Sequence, residues 1–146
     1  TELIHKLITK GRFYFLARPR RFGKSLLIST LKEIFLGNKE LFKEQWIGKS
    51  GYDWKLYPVL HFDFSALSIG SDVALENSLC DALDRHAQAY DIDLSKNITS
   101  GSKLTTLMLA LARENRVVIL IDEYDFPLIN NLDDIGICKA NRKILK

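Results

Sequence analysis

Residues 18–25 read RPRRFGKS, a basic loop that ends in Gly23, Lys24 and Ser25. An apolar run precedes this loop and an amphipathic segment follows it, and a loop between a strand and a helix is the context that phosphate binding requires. Unpaired N–H groups and the helix dipole make a helix N-terminus an anion site. Lys24 can reach the β- and γ-phosphates of a nucleotide there, and Ser25 can ligate Mg²⁺. The residues expected to bind the nucleotide are Arg20, Arg21, Phe22, Gly23, Lys24, Ser25 and Leu26.

This phosphate loop departs from the general pattern GxxxxGK[ST], because Arg18 stands where the first glycine belongs. Pro19 keeps Arg18 extended and has no N–H, so the loop loses one possible phosphate donor. Arg20 and Arg21 either compensate with charge by facing phosphate or an acidic group, or are solvated. A GKS triplet alone is common, and the prediction of a phosphate site depends on the strand, the basic loop and the helix together.

A second group of chemically capable residues follows the apolar run VVILI at 117–121. Asp122 and Glu123 stand at its carboxyl end, the edge at which ligands of open α/β sheets bind. Asp122 can hold the Mg²⁺ that Ser25 also ligates, and Glu123 can polarise an attacking water as general base. The strand end LIDE (120–123) and the phosphate loop therefore predict one catalytic site, with Lys24 and Glu123 as its catalytic residues.

Other polar residues are weaker candidates. Asp63 either borders the site or accepts a hydrogen bond from a nearby loop amide, and Asp125 either supports the site or lies on the surface. The three histidines, His5, His61 and His86, form no cluster, and His86 on an apolar helix face is expected in the core. Packing roles are expected for Trp46, Trp54, Tyr124 and Phe126.

The elements that must position these residues alternate along the chain. Apolar runs predict strands at 13–17, 58–64 and 117–121, the first of them buried on both faces. Helical spacing predicts helices at 24–36, ending near Gly37, and at 72–90. A further helix is capped by Ser102, and another covers 133–146, whereas Pro127 discourages helix directly after the acidic residues. This alternation predicts an α/β fold with a parallel sheet.

Composition narrows the class of protein further. A chain of 146 residues suits one domain, and a net charge of +3 gives no argument for nucleic-acid binding by the chain as a whole. No apolar run is long enough to span a membrane and no signal peptide is recognisable, so no membrane association and a cytoplasmic location are expected. Cys80 and Cys138 are expected as free thiols.

The segments LARPRRFGKSLLISTLKEIFLG, KELFKEQWI, YPVLHFDFS and VVILIDEYDFPLI resemble the AAA-ATPase-like family of prokaryotic proteins over nearly the whole chain. In that family the first glycine of the loop is typically replaced, which accommodates Arg18. The resemblance implies a three-layer P-loop NTPase sandwich, of which 1–146 is a partial ATPase domain. It implies binding of ATP and Mg²⁺ with Lys24, Ser25, Asp122 and Glu123 in the roles given above. Members commonly carry a PD-(D/E)XK nuclease-like domain, which these residues do not include.

The resemblance also implies an incomplete sheet. The opening TELI resembles the middle of the family's N-terminal region and the ending ANRKILK resembles a helix before a further strand, so the chain resembles a fragment. A glutamate directly after the strand-end aspartate resembles P-loop ATPases that insert a later strand between the phosphate-loop strand and the acidic strand. Strands 58–63 and 117–121 should then pair in parallel, while 13–17 stands apart. Unpaired strand edges would favour self-association.

Three functions fit these motifs. The leading one is an ATPase module of a larger protein, with nucleic acid as a candidate partner of another domain. The second is a nucleotide-dependent switch or scaffold that hydrolyses little ATP. The third is a small-molecule kinase, which the adjacent acidic pair disfavours because a kinase needs a base for a substrate hydroxyl instead of a water activator.

Overall fold

The computed structural model describes residues 1–17, 22–113 and 116–145. Several of its helices begin at a residue whose side chain caps the helix N-terminus. Ser71 and Asp134 each accept a hydrogen bond from a backbone N–H three residues further on. The cap expected at Ser102 is corrected to Thr99. These two residues form a reciprocal capping box, with Ser102 in the third helical position.

The chain divides into two compact units, Thr1–Val59 and Leu60–Lys146. The first unit contains α1 (Glu2–Lys10), α2 (Lys24–Phe35), a 3-10 turn (Lys39–Phe42) and α3 (Trp46–Lys49). Helix α2 confirms the helix predicted for 24–36. The core of this unit consists of Ile34, Phe42 and Ile47, packed with Ile4, Ile8, Tyr52 and Trp54.

The second unit is built on a parallel pair of strands, β1 (Val59–Asp63), whose first residue closes the first unit, and β2 (Val118–Asp122). The other elements are a 3-10 turn (Phe64–Ala66), α4 (Asp72–Ala89), α5 (Ser100–Leu111), α6 (Phe126–Ile129) and α7 (Ile135–Ile144). The core joins β1 to α4 and α5 through Leu60, Phe62, Phe64, Ala82, Leu83, Ala87, Leu94, Leu107 and Leu111. The α/β class and the parallel pairing of 58–63 with 117–121 are confirmed, whereas the three-layer sandwich stays a prediction.

The strand predicted at 13–17 is wrong, because residues 13–17 have no regular secondary structure. Phe13 is 95% exposed and Phe15 is 70% exposed, so the run is not buried on either face. A strand requires a neighbour that supplies ladder hydrogen bonds. In the described ranges the sheet contains only β1 and β2. The Tyr14 hydroxyl instead donates to the backbone oxygen of Leu7 at 2.5 Å, which ties the segment to the end of α1.

Pro127 does not prevent helix directly after the acidic residues, which corrects the prediction. It lies in the first turn of α6 and is fully buried. Proline is tolerated there because an N–H in the first turn of a helix has no intrahelical acceptor. The short helix therefore begins within a few residues of Glu123, and α7 follows it close to where a helix was predicted.

Gly48 marks the closest backbone approach in the first unit. A Cβ placed on Gly48 would lie 1.9 Å from the carbonyl oxygen of Phe42, and that oxygen is backbone that cannot turn aside. Any larger residue at position 48 would therefore force α3 away from the 3-10 turn that contains Phe42.

We predict that Gly48→Ala lowers the free energy of unfolding of the first unit by about 1–3 kcal/mol. The chain's two tryptophans, Trp46 and Trp54, both lie in that unit, so tryptophan fluorescence in urea reports its unfolding. The control is Gly101→Ala in α5, where the added Cβ meets nothing within 4 Å. Equal fluorescence midpoints for both variants would contradict the close approach.

Candidate functional site

The N-terminus of α2 is built around Gly23. Its φ of 72° lies in the left-handed region, which glycine adopts without the strain that a Cβ brings. Gly23 occupies the N-cap position, and among the described residues no side chain caps the first N–H groups of the helix. A Cβ at Gly23 would meet no described residue within 4 Å, and its left-handed conformation is what favours glycine here.

The side chains of the first turn of α2 are accessible. Lys24 is half-buried, Ser25 is exposed, and Phe22 and Leu26 are 63% and 71% exposed. Among the described residues, neither the Lys24 amine nor the Ser25 hydroxyl has a hydrogen-bond or ion-pair partner. An ammonium group and a hydroxyl thus lie beside the uncapped amides, which is a donor set that suits phosphate.

The arginines of the phosphate loop, Arg18, Arg20 and Arg21, lie outside the described residues, as does Pro19. Their predicted contacts with phosphate stay predictions.

The acidic strand end is held by its own backbone. Asp122 is the last residue of β2 and is 8% exposed, and its Oδ1 accepts the N–H of Glu123 at 3.0 Å. Glu123 is half-buried and has a φ of 50°, a left-handed conformation that is uncommon for a residue other than glycine. Its carbonyl oxygen accepts the N–H of Phe126 at 2.9 Å. Residues 122–126, called the acidic turn from here on, thus reverse the chain between β2 and α6.

Glu123 shares its left-handed conformation with one other non-glycine residue of the described ranges, Asp91, whose φ is 55°. Such a backbone is strained and persists only where the surrounding structure over-determines it. Strained residues of this kind are concentrated at active sites and switch regions. Glu123 is also the residue for which the sequence predicts the role of general base.

The second alternative for Asp63 is the observed one. Its Oδ1 accepts the N–H of Ser65 at 2.9 Å and the Ser65 hydroxyl at 2.6 Å, so its carboxylate satisfies the loop after β1. Asp125 takes the N-cap position of α6 without a side-chain hydrogen bond to the helix. His86 is half-buried against Phe62, with Nε2 3.0 Å from the His61 carbonyl oxygen, which agrees with a packing role.

Two asparagines beside the acidic turn were missed by sequence reasoning. Asn131 and Asn141 both donate to the carbonyl oxygens of Ile69 and Pro127. An asparagine in a turn or a helix predicts nothing by itself. The signal is the convergence of two amides on the same two oxygens, which only the folded structure displays.

An open cleft of about 470 Å³ lies elsewhere in the second unit, between the end of α4 and residues 91–95. Lys103 in this cleft is buried and pairs with the Asp84 carboxylate at 2.5 and 2.6 Å. The Ser95 backbone N–H and hydroxyl keep the pKa of Asp93 below its usual value. The cleft contains neither predicted motif, and these two carboxylates already have partners within the protein.

The described residues contain no group of three or more His, Cys, Asp or Glu side chains suited to holding a metal ion. Within 1–17, 22–113 and 116–145, none of the helices has the length and apolar character that crossing a membrane demands. Cys80 and Cys138 are free thiols, as predicted.

A family model described as "Predicted AAA-ATPase" matches residues 1–146. The chain is also 39% identical over 144 residues to a protein of Azotobacter chroococcum mcd 1 described as "Uncharacterized protein in vnfD 5'region". That match covers 97% of the chain but 28% of the relative's length. No solved structure matches the chain. The family match extends over the phosphate loop, the acidic turn and both units, and the chain belongs to the AAA-ATPase-like family.

Proposed function

We propose that this chain binds ATP with Mg²⁺ and that the full-length protein hydrolyses ATP. The observation that supports this most strongly is the N-terminus of α2. It combines a left-handed glycine, uncapped N–H groups, and a lysine and a serine without partners among the described residues. Membership of the family agrees with this assignment. The two motifs lie in different units, and their cooperation on one nucleotide is part of the proposal.

In this proposal the first turn of α2 binds the phosphates. Amides of residues 23–26 donate to phosphate oxygens, and the helix dipole favours the negative charge. Lys24 adds a charge-assisted hydrogen bond to the β- and γ-phosphates. Phe22 and Leu26 border the nucleotide, and Arg20 and Arg21 supply positive charge in place of the amide that proline lacks.

The residues present fit a magnesium ion. Mg²⁺ prefers oxygen ligands and uses one or two carboxylates together with substrate phosphates and water, so a larger acidic cluster is not required. Ser25 would offer its hydroxyl and Asp122 its carboxylate. One oxygen of Asp122 accepts the N–H of Glu123, and in the described part of the chain the other accepts no hydrogen bond. When bound, Mg²⁺ neutralises charge on the phosphates.

Glu123 is proposed to activate the attacking water. Its carboxylate would accept a proton from water as the bond to the γ-phosphorus forms, and ADP would leave with the bridging oxygen. A cytoplasmic location, a nucleic-acid partner bound through another domain, and self-association are also proposed. The exposed Phe13 and Phe15 are compatible with self-association.

Replacing the loop lysine tests nucleotide binding. We expect Lys24→Ala to weaken binding of ATP–Mg²⁺ by roughly ten- to a hundredfold, because a charge-assisted contact to phosphate is lost. Titration calorimetry on the full-length protein measures the dissociation constant. Lys39→Ala is the control, since Lys39 is an exposed lysine of the same unit without an ion pair among the described residues. Equal affinities of the two variants would refute the phosphate site.

Replacing the proposed general base tests the chemistry. Glu123→Gln keeps the size of the side chain and removes its basicity, so we expect ATP binding to persist while kcat falls by about 10²–10⁴-fold. Asp125→Asn, two residues further on, serves as control and should keep both properties. Hydrolysis by Glu123→Gln at the parental rate would remove the assignment of water activation to this residue.

A further inference from the structure

The side chains of Asn131 and Asn141 meet on one pair of backbone oxygens. Asn131 Nδ2 lies 3.0 Å from the carbonyl oxygens of both Ile69 and Pro127. Asn141 Nδ2 lies 3.0 Å from that of Ile69 and 3.2 Å from that of Pro127. Each oxygen therefore accepts two hydrogen bonds, one from each amide. This asparagine pair joins the loop after β1, helix α6 and helix α7.

The asparagine pair lies where burial strengthens its hydrogen bonds. Asn141 and Pro127 are among the fully buried side chains, and Asn131 is half-buried. Buried hydrogen bonds are stronger than exposed ones because the surroundings screen them less. The Oδ1 of Asn141 is buried and has no hydrogen-bond partner among the described residues. A buried amide oxygen without a hydrogen bond destabilises the fold. The stabilising part of the Asn141 side chain is therefore its NH₂ group, which donates both hydrogen bonds.

The pair acts on the segment that begins at Glu123. The carbonyl oxygen of Glu123 accepts the N–H of Phe126, the first residue of α6. The next residue, Pro127, has one of the two carbonyl oxygens to which the asparagines donate. The Asp122 carboxylate holds the other side of Glu123 through its N–H. The left-handed backbone of Glu123 is thus fixed from both directions, as a strained conformation requires.

We infer that Asn131 and Asn141 are positioning residues, which hold α6 against the loop after β1 and thereby keep Glu123 in its left-handed conformation. This inference rests on the proposed function of Glu123 as general base. Neither asparagine is expected to touch nucleotide or water. Their role is to prevent the acidic turn from relaxing, since a small displacement of a catalytic group costs large factors in rate.

The test uses the full-length protein with Asn131→Leu, Asn141→Leu and the double variant. Leucine has a similar volume and no donor. Each single variant leaves one donor on each carbonyl, so we expect a small effect from either and a more than additive effect from both. In the double variant kcat for ATP hydrolysis should fall roughly 10- to 100-fold, while the dissociation constant for ATP–Mg²⁺ changes less than about twofold.

Backbone amide exchange gives a readout independent of hydrolysis. In the double variant the amides of residues 123–126 should exchange faster, and those of α4 and α5 should not. Asn97→Leu is the matched control, because Asn97 is also half-buried and also donates twice, to the Ser102 carbonyl at 3.2 Å and the Thr106 hydroxyl at 2.9 Å. If the double variant does not fold, Asn131→Leu is compared with Asn97→Leu by amide exchange, and a smaller acceleration at residues 123–126 is expected because Asn141 still donates to both oxygens.

Faster exchange at residues 123–126 and not in α4 or α5, together with lower kcat at unchanged ATP affinity, supports the inference. Exchange and kcat equal to those of Asn97→Leu overturn it. A result in which Glu123→Gln loses most hydrolysis while the asparagine double variant keeps the parental kcat rejects the positioning role and keeps the proposed function. If Glu123→Gln hydrolyses ATP normally, the assignment of Glu123 as general base fails, and unchanged exchange at 123–126 would then refute the positioning of the acidic turn separately.

Discussion

The register of β2 determines what the acidic turn can do. Leu120 and Asp122 face inward on this strand, whereas Ile119 and Ile121 are 37% and 45% exposed. Because side chains alternate along a strand, a slip of one residue would bury Ile121 and expose Asp122. Parallel pairing with β1 opposes such a slip, and β1 is itself anchored by the packing of Leu60 and Phe62 with α4 and α5. An inward Asp122 therefore depends on the core of the second unit.

Packing sets the register of β2, and hydrogen bonds then hold the acidic turn that follows it. The Asp122 carboxylate accepts the N–H of Glu123, and the Glu123 carbonyl oxygen accepts the N–H of Phe126 at the start of α6. The asparagine pair donates to the carbonyl oxygen of the following residue, Pro127. The first unit uses a simpler device, in which Gly23 adopts a left-handed conformation and begins α2 without a cap. Both motifs thus depend on a left-handed residue placed next to a regular element, but only the one at Glu123 is strained.

The sequence predicted those elements whose signal is local. The helical spacing of 72–90 and the apolar runs at 58–64 and 117–121 are signals of burial, and all three elements are present. The run at 13–17 has the same composition as a buried strand, but a strand also needs a partner, which composition does not report. At α6 the sequence led to the opposite error. Pro127 was expected to discourage helix, but it lies in the first helical turn, where proline is tolerated.

The part of the candidate site that the sequence predicted is its two motifs. GKS and IDE have recognisable spacing to the elements that carry them, whereas the left-handed backbone of Glu123 has no sequence signal and the convergence of Asn131 and Asn141 arises from contacts between distant segments. Asp63 shows why spacing alone is insufficient, because its carboxylate is occupied by Ser65.

The central claim is that both motifs serve one nucleotide. A crystal structure of the full-length Glu123→Gln protein with ATP and Mg²⁺ tests it most directly. The account predicts phosphates on the N–H groups of residues 23–26 and on Lys24, with one Mg²⁺ bound by both Ser25 and Asp122. It is contradicted if the nucleotide lies elsewhere, such as in the cleft with Asp84 and Lys103, or if Mg²⁺ on the phosphates of ATP contacts neither Ser25 nor Asp122.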